Sequence, residues 1–491
     1  MTPATLILLA LVIPTVVAVL LPLFAGRPNV REAVTLIGAV ALFAVVLMLL
    51  PVVLAGGRPE LDVWTVVPGL KIAFSVEPLG MLFALIASGL WIANSVYSIG
   101  YMRAEKAHRQ TLFYVCFAIA LAGTMGVALA GNLFTLFLFY EVLTISTYPL
   151  VTHRGTEEAR NAGRLYLLML LGASTILLLP ALGWTWVAAE TLDFRPGGIL
   201  GGVVSNTALG LMLGLYVFGT AKAAVMPLHF WLPAAMVAPT PVSALLHAVA
   251  VVKAGVFTIL KVTVYTFGIE TLAEAGTGDW LVYVAGITIV VASAIALRQD
   301  NLKRRLAYST VSQLSYVVLG AALFTPLAIV GAAMHIAAHA VSKITLFFSA
   351  GSLHTGTHVD NISEMDGIGG KQPWTMAAFT VGALSMIGVP PTAGFLGKWF
   401  ILMAAVAIGQ WFAVGVIVIS TMLNASYFLP IVYRAYRRTG EGRVTLSEAP
   451  WPMVLPLVVT AAITVLLFAW PDVPYRLAEM LSQSVAVGPP G

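Results

Sequence analysis

The chain has 491 residues, of which 59% are hydrophobic and only 10% charged, with a formal net charge of +5. Soluble globular proteins carry about 25% charged residues, so a wholly water-facing surface is excluded. The basic residues fall in short loops, which argues against a nucleic-acid-binding protein. The single cysteine, Cys116, sits in an apolar run. One cysteine excludes a disulfide framework and a cysteine-ligated zinc or iron–sulfur centre.

Apolar stretches of about 20 residues recur without strand-like alternation, which predicts an all-α polytopic membrane protein rather than a barrel. The run from Met1 lacks a basic leader and continues to Phe24, so it reads as a first span and not a cleaved signal. About fourteen spans are predicted from such runs. They lie at approximately 4–24, 33–55, 74–98, 111–129, 132–151, 164–188, 205–226, 241–266, 280–297, 305–324, 327–350, 374–408, 411–433 and 452–470. Pro227 breaks the seventh near its end, and Pro390 and Pro391 interrupt the twelfth.

Basic residues orient the spans. Loops after odd-numbered spans hold 17 of the 26, from Arg27 and Arg31 through Arg304 to Arg438 and Arg443. The opposite loops hold 4, namely Arg58, Lys71, Arg195 and Arg476. This asymmetry puts the odd loops in the cytoplasm and both termini outside. Spans four to eight and nine to thirteen form two candidate five-helix sets, each broken in its fourth member, a pattern that points to a transport pathway. Five is odd, so the second copy is inverted. The corresponding divisions are 1–110 (three N-terminal helices), 111–266 (first repeat), 279–436 (second repeat) and 437–491 (last helix and tail). The alternative is that both breaks merely reflect the frequency of proline in membrane helices.

The five remaining cations, Lys222, Lys253, Lys261, Lys343 and Lys398, fall within spans and are all lysine, although arginine outnumbers lysine 17 to 9. Arginine stays protonated, whereas a buried lysine can lose its proton. An ionisable group at the bilayer centre costs roughly 2.5–3.5 kcal/mol on insertion scales, so these groups imply a use. Lys261, near the end of span eight, reads as snorkelling to the interface, and Glu77 as interfacial. Glu141 is then the one acidic residue deep in a span, and its natural partner is an intramembrane lysine, either as a proton switch or as a fixed structural pair. His229 and His247 flank spans seven and eight. His335, His339 and Lys343 are spaced i, i+4, i+8 on one helical face, a ladder suited to proton passage. Two histidines can instead begin a metal site, but no carboxylate or cysteine accompanies them in that span. His354 and His358 repeat the spacing in a predicted solvated loop.

No phosphate-binding loop is present: Gly370-Lys371 is followed by Gln372, and Met365 stands where the first glycine belongs. No haem, flavin or nicotinamide signature appears, so no cofactor is expected. Transport must then draw on an ion gradient or on partner subunits.

Long motifs carry a family resemblance across roughly residues 70 to 440. They are GTAKAAVMPLHFWLPAAMVAPTPVSALLHAVAVVKAG at 219–255, LKRRLAYSTVSQLSY at 302–316, HIAAHAVSK at 335–343 and GVPPTAGFLGKW at 388–399. The chain resembles the antiporter-like subunits of respiratory complex I and of Mrp-type Na+/H+ antiporters. The resemblance implies fourteen helices with two inverted five-helix repeats and broken helices seven and twelve. It also implies a Glu141–Lys222 pair, a relay through Lys253 and the His335–His339–Lys343 ladder to Lys398, and His247 beside the junction of the repeats. The short C-terminal end and Lys398 suit the D-type Mrp subunits, whereas AMVAPTPVSALLHA is closer to the larger A-type subunits. The expected setting is a bacterial inner membrane, in a hetero-oligomer with other membrane subunits that moves H+ and Na+. A proton-pumping subunit of complex I or of a membrane-bound hydrogenase is the alternative.

Overall fold

The computed structural model describes residues 1–437 and 445–484. Arg438, Arg443 and the end of the predicted tail lie outside the described residues. Helices dominate: α1 Pro3–Phe24, α2 Pro28–Leu54, α3 Pro78–Ala104, α4 Gln110–Ala128, α5 Leu133–Val151, α6 Glu157–Ala189, α7 Asn206–Gly219 and α8 Thr240–Phe267. There follow α9 Trp280–Leu297, α10 Leu302–Ala322, α11 Pro326–Thr357, α12a Pro373–Ile387, α12b Gly394–Ala407, α13 Trp411–Tyr436, α14 Trp451–Ala469 and α15 Asp472–Gln483. Among the described residues, 11 helices are long and apolar enough to cross a membrane. The predicted spans missing from that set are α7, the α12 pair and α10. The first and second are short or divided, and α10 is rich in serine and threonine.

Local chemistry sets the ends. Proline in the first turn opens α2, α3 and α11, where its missing N–H is no loss. Asn132, Thr156 and Asn301 cap α5, α6 and α10 by accepting a backbone amide.

One element departs from the all-α expectation. The segment assigned partly to span three forms an antiparallel hairpin, β1 Glu60–Val67 with β2 Leu70–Ser75. Val63, Thr65, Val66 and Val67 favour extended backbone, and Gly69, at φ +85°, supplies the turn. Helix ends also shift. α6 starts at Glu157, and α11 runs on to Thr357, so His354 lies in its last turn and not in a loop.

α8 and α11 form the centre. Their most apolar stretches are 100% and 94% buried, against 39% for α1, α2, α6, α13 and α14. α11 packs on α3, α8, α10, α12a, α12b, α14 and α15. The breaks fall in α7 and between α12a and α12b. After α7 the chain makes a tight turn over Ala221–Ala223 and two short helical turns before α8. Between the α12 halves, Gly388 (φ +92°) ends the first helix ahead of Pro390 and Pro391.

Candidate functional site

Lys222 sits in the turn that breaks α7 and is fully buried. Its Nζ donates to the Tyr140 carbonyl (2.9 Å) and to Thr144 Oγ1 (2.6 Å), and lies 3.1 Å from the centre of the Tyr140 ring. The broken backbone is satisfied by side chains: Lys222 N donates to Tyr140 Oη (3.3 Å), and Trp231 Nε1 donates to the Ala221 carbonyl (3.0 Å). α8 crosses this turn at Gly255, where an added Cβ would collide with the backbone of Lys222 and Ala223. Glycine there lets the two backbones touch, and Lys253, two residues earlier, points away from the turn toward α11.

The expected Glu141–Lys222 ion pair does not form. No Lys222–carboxylate contact within 4.0 Å occurs among the described residues, because Tyr140 and Thr144, flanking Glu141 on α5, take the ammonium instead. Both Glu141 oxygens are buried without a hydrogen-bond partner.

Lys253 connects α8 to α11. Its Nζ lies 2.7 Å from His339 Nδ1 and 3.1 Å from the Ile336 carbonyl. The His339 and His335 rings stack with centroids 6.2 Å apart, and His335 stands 5.5 Å from the Tyr316 ring of α10. The i, i+4 ladder is therefore a physical stack. Lys253 Nζ, not a carboxylate, faces His339. His247 lies against Phe347 on the same helix pair.

Lys343 and Lys398 close the series through α10 and α13. Lys343 Nζ donates to Ser309 Oγ (2.9 Å), which lies 3.1 Å from Tyr427 Oη. Tyr427 donates in turn to Asn424, whose Nδ2 reaches the Met386 carbonyl at 3.4 Å. Lys398 Nζ donates to that carbonyl and to Ile387 O (3.2 Å), both left without a helical amide where α12a ends, and stands 4.8 Å from the Tyr316 ring. A Cβ on Gly397 would lie 2.8 Å from His335 Cα, so glycine seats α12b on α11 beside the ladder.

Other expectations are corrected. Lys261 does not snorkel: it is fully buried, 2.9 Å from Glu77, which is itself buried. The α8 end that carries Lys261 is held by Glu77 at the start of α3 and by the Ala130 carbonyl. Arginine is not confined to loops, since Arg31 and Arg305 are buried in the first turns of α2 and α10. Glu32 and Glu77 are buried too, but at the starts of α2 and α3 rather than deep within a span. Among the described residues, His229 Nδ1 has the Pro227 carbonyl at 3.3 Å as its hydrogen-bond partner. His354 is held by Asp360, its Nδ1 3.0 Å from each oxygen. That contact, the largest influence, keeps the Asp360 carboxyl below its usual range against the opposing effect of burial.

Tyr140, Thr144, Ser309, Gln313, Tyr316, Asn424 and Tyr427 were not foreseen as site residues. The low apolarity of 302–322 is the signal that marks three of them, Ser309, Gln313 and Tyr316. Both polar atoms of Gln313 and both ring nitrogens of His247 and His335 are buried without a protein partner.

The chain is similar to known proteins over most of its length. Residues 130–424 match the family model described as NADH:quinone oxidoreductase/Mrp antiporter, TM. The chain is 32% identical over 452 residues to the N subunit of NADH-quinone oxidoreductase from Desulforudis audaxviator, covering 89% of each chain. It is 27% identical over 469 residues to the D-type subunit of the Na(+)/H(+) antiporter from Alkalihalophilus pseudofirmus, covering 94% of this chain and 93% of that one. In fold it matches a chain of the Mrp complex from Dietzia sp. DQ12-45-1b, with a TM-score of 0.86 at 21% identity over 99% of this chain. A chain of the archaeal membrane-bound sulfane sulfur reductase matches with the same TM-score at 23% identity. The chain is a multi-pass membrane protein and belongs to the NADH:quinone oxidoreductase/Mrp antiporter family of antiporter-like membrane subunits.

Proposed function

We propose that this chain is the proton-translocating subunit of a multi-subunit Mrp-type monovalent cation (Na+)/proton antiporter. It sits in a bacterial inner membrane with both termini outside and acts without a cofactor of its own. The observation that carries the reading is the buried series Lys222, Lys253, His339, His335, Lys343 and Lys398, in which no lysine has a carboxylate within 4.0 Å among the described residues. An ammonium held in a dry interior without a counter-charge is costly, so such groups suit repeated gain and loss of a proton. Buried polar atoms without protein partners, as on Glu141, Gln313, His247 and His335, are normally met by ordered water, which would complete the relay. Two inverted repeats, α4–α8 and α9–α13, would give each half one broken helix and one proton-carrying lysine at the break.

Glu141 acts in this scheme as a mobile counter-charge. Its approach to Lys222 holds a proton there, and its withdrawal to the present position releases the proton toward Lys253. Replacing Lys222 or Glu141 with alanine is expected to abolish Na+-dependent proton movement in everted vesicles while the complex still assembles. Normal transport in both variants would sink the relay.

The match to the N subunit of a quinone oxidoreductase favours a second reading, a proton-pumping subunit of a redox complex. Purification with the native partners separates the two. Several small membrane subunits alone support the antiporter, and co-purifying quinone- or hydrogen-reacting subunits support the redox enzyme.

A further inference from the structure

The far end of α8 carries machinery that the relay above does not use. Lys261 Nζ lies 2.9 Å from Glu77 Oε1 and donates to the Ala130 carbonyl at 2.8 Å. Glu77 accepts from the amides of Leu79 (2.7 Å) and Gly80 (3.0 Å) at the start of α3, and the Tyr265 hydroxyl donates to Oε2 at 3.4 Å. Glu77 and Tyr265 also line a polar cavity of about 250 Å³ on the arginine-poor face, between the hairpin and the loop after α6. Its wall carries Arg58, Lys71 and Arg195 against Glu60, Asp62 and Asp193, a balance of sign suited to water rather than to one class of ion. Glu77 thus has the polar cavity on one side and a fully buried ammonium on the other. Lys253, Phe257 and Lys261 share one stripe of α8 at i, i+4, i+8, the lysines about 12 Å apart along the axis. Phe257 stands between them, its ring 5.3 Å from Lys261 Nζ and 4.9 Å from the ring of Phe83.

We infer that Lys261 and Glu77 form a second proton-transfer station, which opens the first helix set to water on the arginine-poor face. The inference rests on the proton-translocating reading above. The Lys261 ammonium gives its proton to Glu77, leaving a neutral amine and a carboxylic acid. The acid then loses that proton to water in the cavity. Lys261 takes a replacement from Lys253 through water admitted past Phe257, and the ionised pair re-forms. No other reactant is required. A pair that only fastened α8 to α3 would keep both charges throughout.

The test uses the whole complex in everted vesicles, with proton movement driven by Na+ or K+ and read from a pH-sensitive dye. Lys261→Arg keeps the charge and the pairing but holds its proton permanently. The expected result is normal assembly with proton movement reduced at least tenfold, and the same loss in Glu77→Gln. Wild-type rates in an assembled Lys261→Arg complex would overturn the proposal by making the pair a structural bridge. If that variant does not assemble, Glu77→Gln decides in the same way. Failure of both to assemble also overturns it, since the pair then serves folding. Lys222→Ala is measured alongside. If it transports normally, the proton-translocating reading itself has failed. If it is inactive while Lys261→Arg is normal, only the second station has.

Discussion

Lys253 meets a histidine and a backbone carbonyl where a buried ammonium ordinarily meets a carboxylate. Neutral partners stabilise the protonated lysine by hydrogen bonding without locking it, and His339 offers a second basic site 2.7 Å away. Lys253→Arg is therefore expected to assemble and to lose proton movement at least tenfold in vesicle assays, because a permanent cation cannot hand its proton on. Lys253→Met is expected to lose transport equally, and a difference between the two would separate charge from proton transfer. Asp360 offers a residue-scale pH effect on the arginine-rich face. Its carboxyl titrates below the usual value near 3.9. Its contribution is therefore complete above about pH 4 and lost as pH falls through the lowered value. Hydrogen exchange at 358–364 should quicken on acidification below that point, and Asp360→Asn should show the quick exchange already at neutral pH. The residue types of the site were legible in the sequence, because an ionisable residue in an apolar run is anomalous wherever it occurs. Their partners were not. Tyr140 and Thr144 flank Glu141 within one helical turn, and only the path of the broken α7 decides which of the three meets Lys222.

At the scale of elements, close backbone contact decides which helices share the site. Gly255 against the Lys222 turn and Gly397 against His335 are the two contacts that matter. Gly255→Ala and Gly397→Ala are each expected to destabilise the chain by about 1–3 kcal/mol, the usual cost of overpacking. The check is the temperature at which the purified complex aggregates. An unshifted Gly255→Ala would mean that α8 can move off the break freely. Most helices were legible as apolar runs bounded by proline and capping residues. α10 was legible as a span, yet its polar face was not recognised as part of the site, because serine and threonine satisfy the carbonyl four residues back and look unremarkable one at a time. The hairpin was missed because Leu70–Ser75 is apolar and continuous with α3, and strand pairing is a long-range property that no local run reports.

The whole molecule places two almost fully buried helices inside a ring of more exposed ones. The orientation drawn from 17 basic residues on one side and 4 on the other is directly testable. Asp62→Cys should react with a membrane-impermeant thiol reagent in intact cells, and Arg304→Cys only in everted vesicles. The reverse pattern would invert the assignment of faces. The single native cysteine, Cys116, is buried and gives little background. The overall class was legible from composition alone, since 10% charge leaves few alternatives to a membrane. The arrangement of shell and centre was not, because α8 and α1 are both apolar, and hydropathy does not distinguish a helix surrounded by protein from one surrounded by lipid.

That shell-and-centre layout has a consequence for biogenesis. Lys253 and His339 lie 86 residues apart in the chain, so during synthesis α8 leaves the ribosome well before the helix that will accept its lysine. In that interval Lys253 has neither its final neighbour nor a lipid-compatible surface. The nascent first half must therefore stay beside the insertion machinery, or keep water around α8, until α11 arrives. A chain truncated after α8 should accordingly be retained by the insertion apparatus or degraded, rather than released into the bilayer as a stable half.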